Sequence, residues 1–139
     1  MFQPKGKGVN ISDSDIWNLA QTICQRSNLG YKHAAILVKN HSIVSSGFNF
    51  RSPISSRDLE VPWDIKYMEH SVHAEADCLL RLKLRQKKTA GGTIYVYGES
   101  RCGNIINSKP CKSCQRLIRM MRVYRVKYIT PGGIKELNL

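Results

Sequence analysis

Two short clusters hold residues able to do chemistry together: His73-Ala74-Glu75 and Pro110-Cys111-Lys112-Ser113-Cys114. Each is weak by itself, because a histidine ahead of a helix is more often structural than a ligand and a Cys-x-x-Cys pair serves redox exchange as readily as metal binding. Taken together they offer one imidazole and two thiolates. That is a donor set zinc prefers, and a catalytic zinc takes three protein ligands and leaves its fourth position to water. Two cysteines spaced by two residues at a helix N-terminus turn their sulfurs to one side, where unpaired amides favour thiolate charge. His73 then supplies the third ligand from across the site. Glu75 lies two residues beyond His73, near the metal but outside its ligand set. A metal draws the pKa of coordinated water toward neutrality, and a neighbouring carboxylate accepts and returns the protons.

These residues need elements to position them. Ser12 or Asp13 caps a helix whose Ile16, Leu19, Ala20 and Ile23 recur at helical spacing, with an expected end near Asn28 to Gly30. His33 to Lys39 and Ile43 to Phe48 are apolar runs at hairpin spacing, read as two antiparallel strands. Asn49 to Ser71, with Pro53 and Pro62, reads as a long functional loop. Val72 to Gln86 predicts a helix with a basic outer face, Thr93 to Tyr97 a strand, and Glu99 to Lys109 a second polar loop. Pro110 opens a helix near Cys111 whose apolar side is Leu117, Ile118 and Met121, and Val126 to Ile129 is the last clear strand. The strand-helix-strand order of the second half predicts parallel pairing with helices over the sheet.

With these anchors in this order, the sequence resembles the cytidine and deoxycytidylate deaminase superfamily of zinc-dependent nucleobase deaminases. The resemblance runs from His33-Ala34-Ala35-Ile36-Leu37-Val38 through Gly47-Phe48-Asn49 and both clusters to the last strand, about two thirds of the chain. It implies an α/β fold, a three-layer α/β/α arrangement around a mixed, about five-stranded sheet. It implies His73, Cys111 and Cys114 as ligands of one Zn2+ per chain, Glu75 as general acid/base, Asn49 as a contact to the substrate's sugar and Ala74 as a backbone N–H donor. Ser108, Lys109 and His70 complete the candidate substrate contacts. The implied reaction replaces the amine on a ring carbon with a carbonyl. A histidine as first zinc ligand is similar to the deoxycytidylate, guanine, riboflavin-pathway and tRNA-editing branches, which favours a cytosine nucleotide such as deoxycytidylate over free cytidine. The insert from Phe50 to Ser71 offers only His70 as a soft ligand, so a second zinc is not expected. The resemblance also implies a homo-oligomer.

The totals bound these readings. The 139 residues fit a single domain, since compact domains cluster at roughly 100 to 150 residues. The first ten residues are basic and Gly-rich and are expected to be poorly ordered. The 22 Lys and Arg against 10 Asp and Glu give a charge of +12, which suits phosphate or nucleic acid but equally a solvated face. No stretch approaches the roughly 20 apolar residues of a membrane span, and Met1 to Asn10 lacks an apolar signal region, so a cytoplasmic location is expected. Five cysteines, an odd number without a framework, argue for free thiols: Cys24 and Cys78 buried, Cys102 an exposed spectator. His33 and His41 read as structural or solvated. Phe48, Phe50, Trp63 and Tyr67 offer aromatic faces near the long loop, and Arg51, Arg57, Lys66, Arg101 and Lys109 offer charge for a phosphate. Two competing functions remain open: deamination of cytosine or adenine within RNA or single-stranded DNA, and a non-enzymatic zinc or nucleic-acid-binding module whose fourth ligand would be Cys102 or His70.

Overall fold

The computed structural model describes residues 11–51, 71–84 and 90–139. Helix α1 spans Asp13–Cys24 and starts where the Ser12 side chain accepts from the Asp15 N–H, with Asp13 and Asp15 in the first turn beside the positive end of the helix. Ile16, Ala20 and Cys24, four residues apart, form its buried stripe. The helix stops earlier than its pattern predicts. Arg26 and Ser27 close tighter bonds to the carbonyls of Ile23 and Cys24, and the Ser27 hydroxyl then accepts from the Leu29 N–H, turning the chain toward the first strand.

Strands β1 (Lys32–Lys39) and β2 (Ser42–Phe48) form the expected hairpin. Its two-residue turn, Asn40-His41, holds both residues at positive φ, the backbone that matches strand twist in short hairpins. Two short strands, β3 (Phe50–Arg51) and β4 (Ser71–Val72), then pair with each other and draw together the two ends of the long loop. They were not anticipated, because two-residue strands have no periodicity to detect. Helix α2 covers Ala74–Leu84, strand β5 Thr93–Glu99, helix α3 Lys112–Met120 and strand β6 Arg125–Thr130. Strand β7, Gly133–Asn138, returns antiparallel on β6 after a tight turn. The sequence reading ended its strands at Ile129; β7 escapes it because an edge strand exposed along most of its length has no need of an apolar face.

The sheet order is β2-β1-β5-β6-β7. The pairing is mixed, parallel between β5 and β6 and antiparallel elsewhere. Alternation along β1 and β5 divides the core into two layers. Ala34, Ile36, Tyr95 and Tyr97 pack with Ile16, Ala20 and Cys24 of α1, while Ala35, Leu37, Ile94 and Val96 pack with α2 and α3 through Leu79, Leu82, Leu117 and Ile118. The three-layer α/β/α fold with a five-stranded mixed sheet is therefore the one expected.

Close approach of α2 to β2 depends on Gly47. A Cβ there would lie 2.4 Å from the Cys78 amide nitrogen and 2.9 Å from the Ala74 carbonyl. The Asp77 carboxylate uses the same proximity to accept from the Phe48 N–H at 3.1 Å. Backbone atoms cannot swing aside as a side chain can, so Gly47→Ala should cost about 2 to 3 kcal/mol of stability, read from urea unfolding.

Candidate metal centre and active site

His73 and Cys111 occupy equivalent positions on two helices. The His73 carbonyl accepts from the Asp77 N–H, and the Cys111 carbonyl from the Gln115 N–H, so each residue is the N-cap of its helix. The Cys111 sulfur makes no capping bond. It turns instead to His73, as does Cys114 from the first turn of α3: Nδ1 of His73 lies 3.7 Å from Cys111 Sγ and 3.4 Å from Cys114 Sγ. With zinc–sulfur and zinc–nitrogen bonds of about 2.3 and 2.0 Å, a tetrahedral ion separates such donors by about 3.6 Å. The donors of all three residues lie within 4.8 Å of one another, and no other such cluster occurs among the described residues. The donor types and the spacing both fit zinc.

The electrostatics agree. A hydrogen bond from Cys114, with a further one from His73, holds the Cys111 thiol down to about 4 against the opposing effect of burial. His73 is raised, chiefly by its bond with Cys111 and despite burial. Glu75, buried in the first turn of α2, is raised by burial, opposed by its own backbone N–H and by His73. Its carboxylate also takes a hydrogen bond from Cys114, which puts it at the ligand set without joining it.

The triangle opens on a cavity of about 450 Å³, a volume suited to a small molecule. His73, Ala74, Glu75 and Cys111 line one side. Of the expected substrate contacts, Asn49, Ala74, Ser108 and Lys109 line it too, whereas His70, with Arg57, Trp63, Lys66 and Tyr67, lies outside the described residues. Asn49 reaches the site because β3 and β4 zip together between it and His73. Its side chain is fixed by bonds to the backbone of His33 and Tyr31, both 2.8 Å. The Ser108 hydroxyl is already committed to the fold, bonding the carbonyls of Val96 and Ile129 and accepting from the Ile129 N–H.

Other expectations resolve by placement. Cys24 and Cys78 are buried thiols, Cys102 is exposed away from the triangle, and all five cysteines are free. Phe48 packs on Phe50, and Phe50 on the core. Arg101 lays its guanidinium within 3.2 Å of where a Gly30 side chain would start, beside the cavity wall. His41 stands exposed in the hairpin turn. His33, read as structural or solvated, lines the cavity together with Tyr31 and Asn107, which sequence reasoning missed. Strand parity held the signal for His33, since it falls on the same face as Ala35 and Leu37, the face that carries α2 and α3.

The model of the cytidine and deoxycytidylate deaminase zinc-binding region matches residues 11–130. The chain belongs to this family. It is a hydrolytic zinc deaminase with one zinc site per chain, and the reading as a non-enzymatic zinc module falls away. Solved structures share its fold. A dCMP deaminase from the cyanophage S-TIM5, solved with dCMP and dUMP, has 22% identity and a TM-score of 0.62 over 94% of this chain and 85% of its own. Cytidine deaminase from Burkholderia pseudomallei has 15% identity and a TM-score of 0.66 over 92% and 93%, and that from Mycobacterium leprae 16% and 0.58 over 91% and 94%. No curated protein sequence matches the chain.

Metal analysis of the purified deaminase should find one zinc per chain. Cys114→Ser, which removes a buried donor, should weaken zinc affinity by more than about 100-fold, the upper range for residues that merely support a ligand. Cys102→Ser should leave the zinc content unchanged.

Proposed function

We propose that this deaminase acts on a cytosine mononucleotide, deoxycytidylate first among them. The observation that carries the reading is that Lys109 lines the same cavity as His73, Glu75 and Cys111, so that one cavity offers both the reaction centre and a cation. A base that carries a phosphate on its sugar matches that pairing. The phage dCMP deaminase of the same fold, solved with dCMP and dUMP, supports it.

Zinc held by His73, Cys111 and Cys114 supplies a Lewis acid that makes water nucleophilic at neutral pH. Glu75 does the proton work. Its carboxylate takes a proton from the attacking water, delivers it to the ring nitrogen beside the amine-bearing carbon, and carries a second to the departing amine. Water adds to the amine-bearing carbon as the ring nitrogen is protonated; the exocyclic carbon–nitrogen bond of the resulting tetrahedral carbon then breaks, leaving a ring carbonyl and releasing ammonia. Asn49, tied to the backbone of Tyr31 and His33, orients the sugar, and the Ala74 N–H faces the base from the start of α2. Lys109, and Arg101 beside Gly30, meet the phosphate.

A second reading, deamination within RNA or single-stranded DNA, draws support from the charge of +12 and from Tyr31, 65% exposed at the cavity, where a flanking base would stack. The free thiols favour a reducing, cytoplasmic setting, and the exposed Met120, Tyr124 and Ile134 favour a homo-oligomer.

Ammonia release from deoxycytidylate, deoxycytidine, cytidylate and short RNA and DNA strands decides between the substrates. Deoxycytidylate should turn over fastest, and Lys109→Ala should lower its kcat/KM by about 10- to 100-fold while sparing deoxycytidine. Faster turnover of strands, with binding that weakens steeply in salt, overturns the mononucleotide reading. Glu75→Gln should keep its zinc and lose about 1,000-fold or more in kcat.

A further inference from the structure

His33 stands opposite Gly98 in the β1–β5 pairing. A Cβ on Gly98 would lie 2.7 Å from both Cε1 and Nδ1 of the imidazole, so the ring occupies the space that the missing side chain leaves. The ring is tethered as well as seated, through a hydrogen bond to the backbone of Tyr97. Its own main chain is clamped on both sides by Asn49, whose Oδ1 accepts from the His33 N–H at 2.8 Å and whose N–H donates to the His33 carbonyl at 3.2 Å. An imidazole has a second nitrogen, and no protein group bonds it among the described residues. Nor is that nitrogen sealed from solvent, because Trp17 Nε1 is the one buried side-chain polar atom left without a partner among the described residues. The nitrogen therefore opens on the cavity that His33 lines.

When one ring nitrogen donates its proton to a carbonyl, the other in a neutral imidazole is a bare acceptor. Burial, then the nearby His73, holds His33 below the ordinary imidazole range, which favours the neutral ring. The donors a cytosine nucleotide can present are its exocyclic amine and its sugar hydroxyls. The amine belongs at the donor triangle with Glu75, which leaves the hydroxyls for the wall shared by His33 and Asn49.

We infer that His33 is a specificity-determining residue, its free ring nitrogen accepting a hydrogen bond from a sugar hydroxyl of the substrate, with Gly98 reserved as the seat of the ring. This rests on the cytosine-nucleotide reading. It separates substrates with a hydroxylated sugar from those without one, a selectivity to which neither the zinc ligands nor Lys109 contributes.

The test compares deoxycytidylate with 2′,3′-dideoxycytidylate on the zinc-loaded wild type, His33→Phe and Gly98→Ala. Wild type should lose about tenfold in kcat/KM on the dideoxy substrate, the ordinary worth of one hydrogen bond. His33→Phe keeps the bulk and removes the acceptor. It should lose about tenfold on deoxycytidylate, chiefly through KM, and show little further loss on the dideoxy compound, with zinc content unchanged. Gly98→Ala should reproduce that pattern by displacing the ring, and His33→Gln, which restores an acceptor, should recover part of the discrimination. Equal losses by His33→Phe on both substrates, or undiminished discrimination in either variant, overturn the assignment. If His33→Phe loses zinc or folds poorly, Gly98→Ala carries the comparison alone. Failure of the wild type on both compounds, with turnover of strands, refutes the nucleotide reading instead.

Discussion

Two cysteine sulfurs and an imidazole nitrogen must meet within 4.8 Å of one another beside a cavity, and no single helix or strand supplies that geometry. Thiolates are costly to bury unless positive potential compensates, and helix N-termini provide it through amides that lack a partner. Two helix starts therefore have to face each other. The strand directions arrange this. Strands β2 and β5 both run antiparallel to β1, so they run the same way, and the helices that follow them both begin at the same end of the sheet. Since α2 and α3 also cover the same face, their N-caps, His73 and Cys111, converge. The parallel β5–β6 pair follows from the same crossover, whereas β2 and β5 share a direction with β1 lying between them.

The reactive residues were legible because their chemistry is carried by residue type. A histidine, a carboxylate two residues on and a later Cys-x-x-Cys after proline retain their meaning without a structure. Long elements with one buried face were legible as well, since Ile16, Ala20 and Cys24 or the run from Ala34 to Leu37 advertise the core they enter. What escaped belongs to pairings between distant segments. The seat of His33 exists only because residue 98 across the sheet is glycine, and Tyr31 joins the cavity because the chain turns at Ser27 and Leu29. Strand β7 escaped for a different reason: its stability comes from backbone bonds to β6, which leave no trace in an exposed sequence.

The part of the cavity lining that leads into Cys111 is a loop that the fold makes rigid. Ser108 ties it to both central parallel strands, the Ile106 N–H bonds the Gly98 carbonyl, and the Asn107 side chain accepts from the Lys109 N–H at 3.0 Å. Binding groups on a segment so anchored lose little freedom when a ligand arrives, which strengthens each contact they make. The loop thereby acts as an extension of the sheet edge.

Charge and shape then do separate tasks. Lys112, Arg116 and Arg119 lie exposed along α3, beginning beside the cavity mouth where Lys109 stands. Surface cations spaced along a helix act over roughly 8 to 10 Å before salt screens them, so they gather any phosphate without distinguishing a nucleotide from a polymer. On the proposed function, discrimination falls to contacts inside the cavity, where the sugar of a cytosine nucleotide would meet Asn49 and His33 and its base would meet Glu75. A net charge of +12 consequently raises the rate at which anions arrive, and on the proposed function the choice among them would depend on which can bring an amine-bearing ring to the donor triangle while its phosphate reaches Lys109.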